Sequence, residues 1–318
     1  MLAILTLKQI EIAAQFIRKG QLVAFPTETV YGLGANALDP VAVARIFEAK
    51  QRPSFDPLIV HVSSMEDISR LACVEDKRLY MLTEKFWPGP LTIILPKKKV
   101  VPDIVTSGLL NVGIRMPAND IAIELIKMSG CPIAAPSANK FGQISPTSAE
   151  HVRKQLPSLQ CILDGGPTKV GIESTVITLK DDGFLILRQG IITKEDLEKI
   201  IPSSKQIDKN NGLASPGLLK SHYSPLKPLY ILGENDVAIN KTTTGLISLR
   251  GTDAEGYKFV EILSPNGDLR EAAANLFKAM HHMEEADIDC IVAEKVPETG
   301  IGLAIMDKLR KASYRYSI

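Results

Sequence analysis

The sequence predicts an α/β protein: a mixed sheet covered by helices, followed by a smaller α/β domain. Short apolar runs alternate with amphipathic segments through residues 1–201, which is the pattern of layered strands and helices. Some neighbouring runs are too close for a helical crossover, so part of the sheet is antiparallel. Beyond Ile201 the composition shifts: residues 202–228 are rich in Pro, Ser, Asn and Lys with little periodicity, and strand-like runs resume at Leu229. The expected organisation is a larger domain over 1–201, a linker over 202–228 and a small domain over 229–318.

Each element has a local reason. Thr6 and Gln9 form a capping box for a helix over Leu7–Lys19, stopped by Gly20. Leu22–Phe25 is a strand ending at Pro26. Asp39 caps a helix with Pro40 at its first position, running to Lys50. Further strands are expected at Leu58–Val62, Leu91–Leu95, Val112–Met116, Ile133–Ala135 and Cys161–Leu163. Ser174–Leu179 and Phe184–Arg188 join through Asp182-Gly183 as a hairpin. Helices are expected at Asp76–Phe86, Ile121–Met128, Ser148–Gln155 and Lys194–Ile200. In the small domain the strands are Leu229–Leu232, Leu246–Leu249, Phe259–Leu263 and Ile288–Ala293. Its helix, Leu269–Glu285, carries Leu269, Ala273, Leu276, Phe277 and Met280 on one face. No catalytic cluster stands out there, and there is no internal repeat.

Composition narrows the functional classes. With 45% hydrophobic and 23% charged residues the chain can bury a core, and a net charge of +1 gives no global field towards nucleic acid or acidic lipid. No apolar run approaches the ~18 residues of a membrane span. The Met1–Leu7 stretch lacks a basic leader and a cleavage site, so a cytoplasmic protein is expected. Cys73, Cys131, Cys161 and Cys290 form no C-x-x-C pair and read as buried, reduced thiols. His281 and His282 are adjacent, so on a helix they diverge and cannot share a metal; no metal site is expected.

Four segments carry polar chemistry. In LVAFPTETVYGLGANA, Leu22–Ala37, the GLGANA run fits G-x-G-x-x-A. However, Pro26–Tyr31 separate the strand from Gly32, and the capped helix starts only at Pro40. A dinucleotide turn is therefore out of position. In EAKQRPSFDPLIVHV, Lys50 and Arg52 stand at a helix C-terminus, where cations suit the dipole and could equally grip a polyphosphate. His61 lies in an apolar strand, the usual place of a core histidine. In CPIAAPSANKFGQISPT, Ser137, Asn139 and Ser145 follow a strand end, where α/β sheets bind ligands, although turn chemistry would also select them. GGPTKVGIEST leads into a strand starting at Ser174 and Thr175. Arg115 and Arg188 end otherwise apolar strands, which is costly without a partner or ligand.

The order of these segments is more specific than any one of them. PTETVYGLG, K-x-R-P-x-x-D-P-L-I-V-H-V, NVGIRMP, APSAN, ESTVI and RQG together resemble the YrdC-like domain as far as about Ile201. With SPGLLKSHYSP and the small domain, the whole chain resembles the long, two-domain threonylcarbamoyl-AMP synthase family. The resemblance implies a twisted mixed sheet with a large cavity and a Rossmann-like C-terminal α/β domain. It implies ATP contacts from Lys50, Arg52, Asp56, Ser137, Asn139, Ser145, Arg188 and Tyr223, with Lys50 and Arg52 stabilising charge at phosphorus. It implies threonine contacts from Thr29, His61, Arg115, Ala135, Ser174 and Thr175, and a lid from Ser215, His222 and Tyr223. L-Threonine, bicarbonate and ATP would be substrates, with Mg2+. The product would pass to the machinery that makes N6-threonylcarbamoyladenosine in tRNAs reading codons that begin with A; direct tRNA binding would be weak. The family often places Gly where this chain has Gln51, and Asn where it has Asp56; its basic linker residue often precedes the position of Lys220. Competing readings are an RNA-binding module, disfavoured by 5% aromatic content and no Arg-rich run, and a hydrogenase-maturation carbamoyl transferase, which carries extra segments.

Overall fold

The computed structural model describes residues 6–206, 221–235 and 237–316. Ser215 and Lys220 lie outside the described residues. The first helix, α1 (Leu7–Arg18), opens on the predicted reciprocal box: Thr6 accepts from the Gln9 amide, and the Gln9 side chain accepts from the Thr6 amide at 2.8 Å. Its apolar face, Ile10, Ala13, Ala14 and Ile17, packs with α6 (Asp120–Ser129) over β1 (Val23–Phe25). Next, β2 (Gly32–Asn36) turns back antiparallel to β1, and Asp39 caps α2 (Pro40–Lys50) by accepting from Val41 and Ala42.

The remaining elements of the first domain are β3 (Ile59–His61), α3 (Met65–Leu71), α4 (Lys77–Phe86), β4 (Leu91–Pro96), α5 (Asp103–Thr106), β5 (Asn111–Arg115), β6 (Ile133–Ala134), α7 (Ala149–Gln155), β7 (Thr175–Lys180), β8 (Gly183–Arg188) and α8 (Lys194–Glu198). The sheet is eight-stranded, in the order β1-β2-β6-β3-β5-β4-β7-β8. Only β3–β5 and β4–β7 pair parallel, and β7–β8 is the expected hairpin. In the second domain β9 (Leu229–Ile231), β10 (Thr244–Ser248), β11 (Phe259–Ile262) and β12 (Cys290–Ala293) form a parallel sheet in the order β11-β10-β12-β9. Helices α9 (Leu269–Glu285) and α10 (Ile301–Ser313) complete it. One continuous apolar cluster runs from Leu33 through Tyr223 to Phe277, so the two domains share a core.

Several expectations are corrected. Residues 161–163 are not a strand; Ile162 makes only an isolated bridge to Ala24. In keeping with the rejection of a dinucleotide turn, GLGAN is a strand: a Cβ on Gly34 would lie 2.7 Å from Ile133 Cγ2 and from Phe25 Cε1, so this glycine serves packing inside the sheet. Helices α3, α5 and α10 were not expected. The thiols are not all buried, for Cys73 is exposed and the other three are partly so.

Candidate active site

The C-terminal edges of β3, β5 and β8 and the loops after β1, β6 and α7 converge on one cavity. It is lined by Thr29, Arg52, His61, Arg115, Ala135, Ser137, Ser174, Arg188, His222 and Tyr223, with Thr27 and Glu173. The enclosed space is narrow, about 50 Å³ being open to the centre of a water molecule. Residues far apart in sequence are thereby brought together.

Arg115 reaches one wall. Its Nη1 donates to Thr29 Oγ1 at 2.9 Å and its Nε to the Gly89 carbonyl at 3.3 Å. Its Nη2 stands 2.7 Å from Glu28 Oε2 in an ion pair whose N–H is not aimed at the oxygen. Glu28 is 7% exposed, and neither of its oxygens has a hydrogen-bond partner. Thr29 and Thr27 hydroxyls lie 2.8 Å apart. His61 meets the Phe25 ring edge-on at 6.1 Å, and burial, reinforced by Arg115, lowers it to about 3, so the imidazole is neutral.

A second part of the lining carries Arg52 and Arg188. Arg52 pairs with Asp56 at 2.9 Å and donates to the carbonyls of Asp56 and Pro57. Burial lowers Arg52 and raises Asp56 in spite of that pairing, the mark of an ion pair taken out of water. Arg188 donates to the Ser174 carbonyl at 3.1 Å and its hydroxyl at 3.0 Å, and Ser174 bonds Thr92. Glu173 Oε1 accepts from Ser145 at 2.5 Å, while Oε2 lacks a hydrogen-bond partner. His222 and Tyr223 also line the cavity, their rings T-shaped at 4.1 Å. Burial, followed by Arg52 and Lys50, drives His222 well down; burial, followed by Glu173, drives Tyr223 well up, so both are neutral.

The other candidates stand behind this lining. Lys50 is fully buried and donates to the carbonyls of Ser137 at 2.6 Å and Asn139 at 2.5 Å, which pins the loop after β6; burial, then Arg52, lowers its pKa. Asp56 faces Arg52, Asn139 donates to the Lys140 and Gln143 carbonyls, and Thr175 donates to the Ile192 carbonyl.

A family model described as "Telomere recombination" matches residues 15–190, and one described as "Threonylcarbamoyl-AMP synthase, C-terminal domain" matches residues 192–313. The threonylcarbamoyl-AMP synthase of Pyrococcus abyssi is 46% identical over 96% of this chain and 94% of its own. The chain belongs to the threonylcarbamoyl-AMP synthase family. The family member from Bacillus subtilis is 42% identical over 96% of this chain and 93% of its own. The crystal structure of P. abyssi Sua5 complexed with L-threonine superposes with a TM-score of 0.87 at 43% identity, covering 98% of this chain and 96% of that one.

Against the pattern of the threonylcarbamoyl-AMP synthase family, the departure at Gln51 has a structural meaning. Gln51 is the C-cap of α2 and sits at φ 52°, the left-handed region that favours glycine. Sequence reasoning missed Glu173 in the cavity lining and Glu28 behind it, against Arg115. Their only signal was a carboxylate inside a loop of small residues, which reads as solvated until the loop is seen to be buried.

Proposed function

We propose that this chain is a threonylcarbamoyl-AMP synthase, making L-threonylcarbamoyladenylate and pyrophosphate from L-threonine, bicarbonate and ATP. The observation that carries the reading is the single cavity whose lining brings Arg115 and Thr29 together with Arg52 and Arg188. The threonine amine attacks bicarbonate; the N–C bond forms and water departs, leaving an N-carboxylate. An oxygen of that carboxylate attacks the α-phosphorus of ATP, and pyrophosphate leaves. No side chain need become covalently attached.

Arg115 offers a planar fork to the amino-acid carboxylate, which a lysine could not match. Neutral His61 and Thr29 would meet the threonine hydroxyl. Arg52 and Arg188 neutralise charge on the triphosphate, Ser137 offers a hydroxyl to it, and Lys50 acts by fixing the loop that carries Ser137 and Asn139. Asp56 keeps Arg52 oriented, and Ser145 orients Glu173. Fixing two reactants at attack distance supplies ~7–11 kcal/mol of such a barrier. A Mg2+ accompanying ATP would neutralise charge on the phosphates while keeping mostly water and phosphate ligands. Among the described residues no trio of acidic, His or Cys side chains is grouped to cage one; Glu173, with Oε2 free of hydrogen bonds, suits a single contact. Ligand sites of this kind enclose roughly 300–1,000 Å³, so His222 and Tyr223 must withdraw for a nucleotide to enter and then close on it.

The product is a reactive mixed anhydride, suited to threonylcarbamoyl transfer to tRNA by other proteins. Among the described residues no helix is long and apolar enough to cross a membrane. The test is pyrophosphate release with each substrate omitted in turn. Release is expected only with ATP, threonine and bicarbonate together; release that persists without threonine would reduce the activity to ATP hydrolysis.

A further inference from the structure

Lys308 lies on α10 in the second domain, and its side chain is 0% exposed. A lysine placed there only to fill space is a poor choice, since burying an ammonium is expensive and a Met or Leu would pack as well. Its Nζ donates to the Gln189 carbonyl at 2.5 Å and to Asp307 Oδ2 at 3.1 Å, and it stands 5.9 Å from the centre of the Tyr223 ring. Gln189 directly follows Arg188. Gly190, next along, is pressed so closely onto the start of β7 that a Cβ would lie 2.4 Å from the Thr175 nitrogen. The ammonium therefore clamps the segment 188–190 against Glu173–Thr175 and, from the same point, faces the ring of Tyr223. One turn on, the Lys311 carbonyl accepts from the His222 amide at 3.2 Å, and Lys311 Nζ pairs with Asp307 at 2.8 Å.

We infer that Lys308 is a positioning residue through which the second domain sets Arg188 and Tyr223 on the nucleotide wall of the cavity. The inference rests on the synthase reading above. It gives the small domain a part in the reaction without any group of its own touching substrate, whereas Arg115 and Thr29 are held by Gly89, Glu28 and Thr27 of the first domain.

The test compares Michaelis constants for ATP and threonine, with thermal midpoints, in the full-length wild type, Lys308→Met and Lys308→Arg. Lys308→Met should raise the ATP KM about tenfold or more and the threonine KM by clearly less, the smaller rise passing through Ser174, which Arg188 holds; Lys308→Arg should recover most of the difference. If Lys308→Met does not fold, Lys308→Gln, which keeps a donor for Gln189 but no charge, takes its place. An unchanged ATP KM, or equal rises in both constants, overturns the inference. A wild type that turns over normally while Lys308→Met matches it defeats this inference alone. A wild type without threonine-dependent pyrophosphate release defeats the synthase reading, and this inference with it.

Discussion

The two domains handle buried charge differently. In the first, Glu28, Lys50, Arg52, Asp56, Arg115, Glu173 and Arg188 are all withdrawn from solvent around one cavity. In the second, the buried titratable groups among the described residues are His281 and Lys308, and both bond to the first domain, at the Ser145 and Gln189 carbonyls. The parallel sheet itself has an apolar interior and an exposed ionic surface. Buried charge is costly unless it meets a ligand or a partner, so its distribution marks where the molecule does chemistry and where it transmits position.

That contrast can be broken by substitution. The largest effect is expected for Arg52→Ala, which should lower turnover about 10³-fold with circular dichroism unchanged; activity within a few-fold of wild type would remove Arg52 from the site. Arg115→Lys comes next: it should raise the threonine KM between about tenfold and a hundredfold, since the fork to a carboxylate is lost, while the ATP KM stays put.

The domain seam should respond to acid. His151 and His281 stack with ring centres 3.7 Å apart, and burial lowers them to about 4 and about 3. Lys154, Lys278 and His282 add to the shift on His151, while Glu285 opposes that on His281 and Glu284 stands 3.8 Å from its Nδ1. An unfolded imidazole titrates near 6.5. Between about pH 6.5 and 4 the unfolded chain therefore binds protons that the fold refuses. The neutral pair's contribution is complete above that window and is lost as pH falls through it. His281→Phe, which keeps a stacked ring, should make the urea midpoint less pH-sensitive there by on the order of 2 kcal/mol in unfolding free energy. The smallest effect is expected at the surface of the second domain, where Arg310 pairs with Glu234 and Glu298. Arg310→Ala should cost below about 1 kcal/mol by thermal denaturation.

What the sequence could tell depended on whether the deciding atoms were local. Thr6 with Gln9, Asp39 with Pro40, and the Asp182-Gly183 turn act on their own neighbours, and the elements they start or join are where the sequence places them. Gly32–Asn36 was not legible as a strand because its small residues show no alternation and its partners, β1 and β6, are not both adjacent in sequence. Helix α10 lacks a side-chain cap at Gly300, so its start carried no signal, and Lys308 stayed hidden with it. At the site, Lys50 and Arg52 stood out by charge at a helix end. That only Arg52 faces the cavity, while Lys50 turns to two carbonyls, depends on the loop after β6, a contact made across 87 residues and more.

The bond between the His222 amide and the Lys311 carbonyl joins main chain to main chain. Exchanging the side chain at 311 leaves that tether whole, so a scan of alanine variants along α10 would pass over it without a trace. Only removing the donor itself, as proline at position 222 would, could unfasten this edge of the cavity from the second domain.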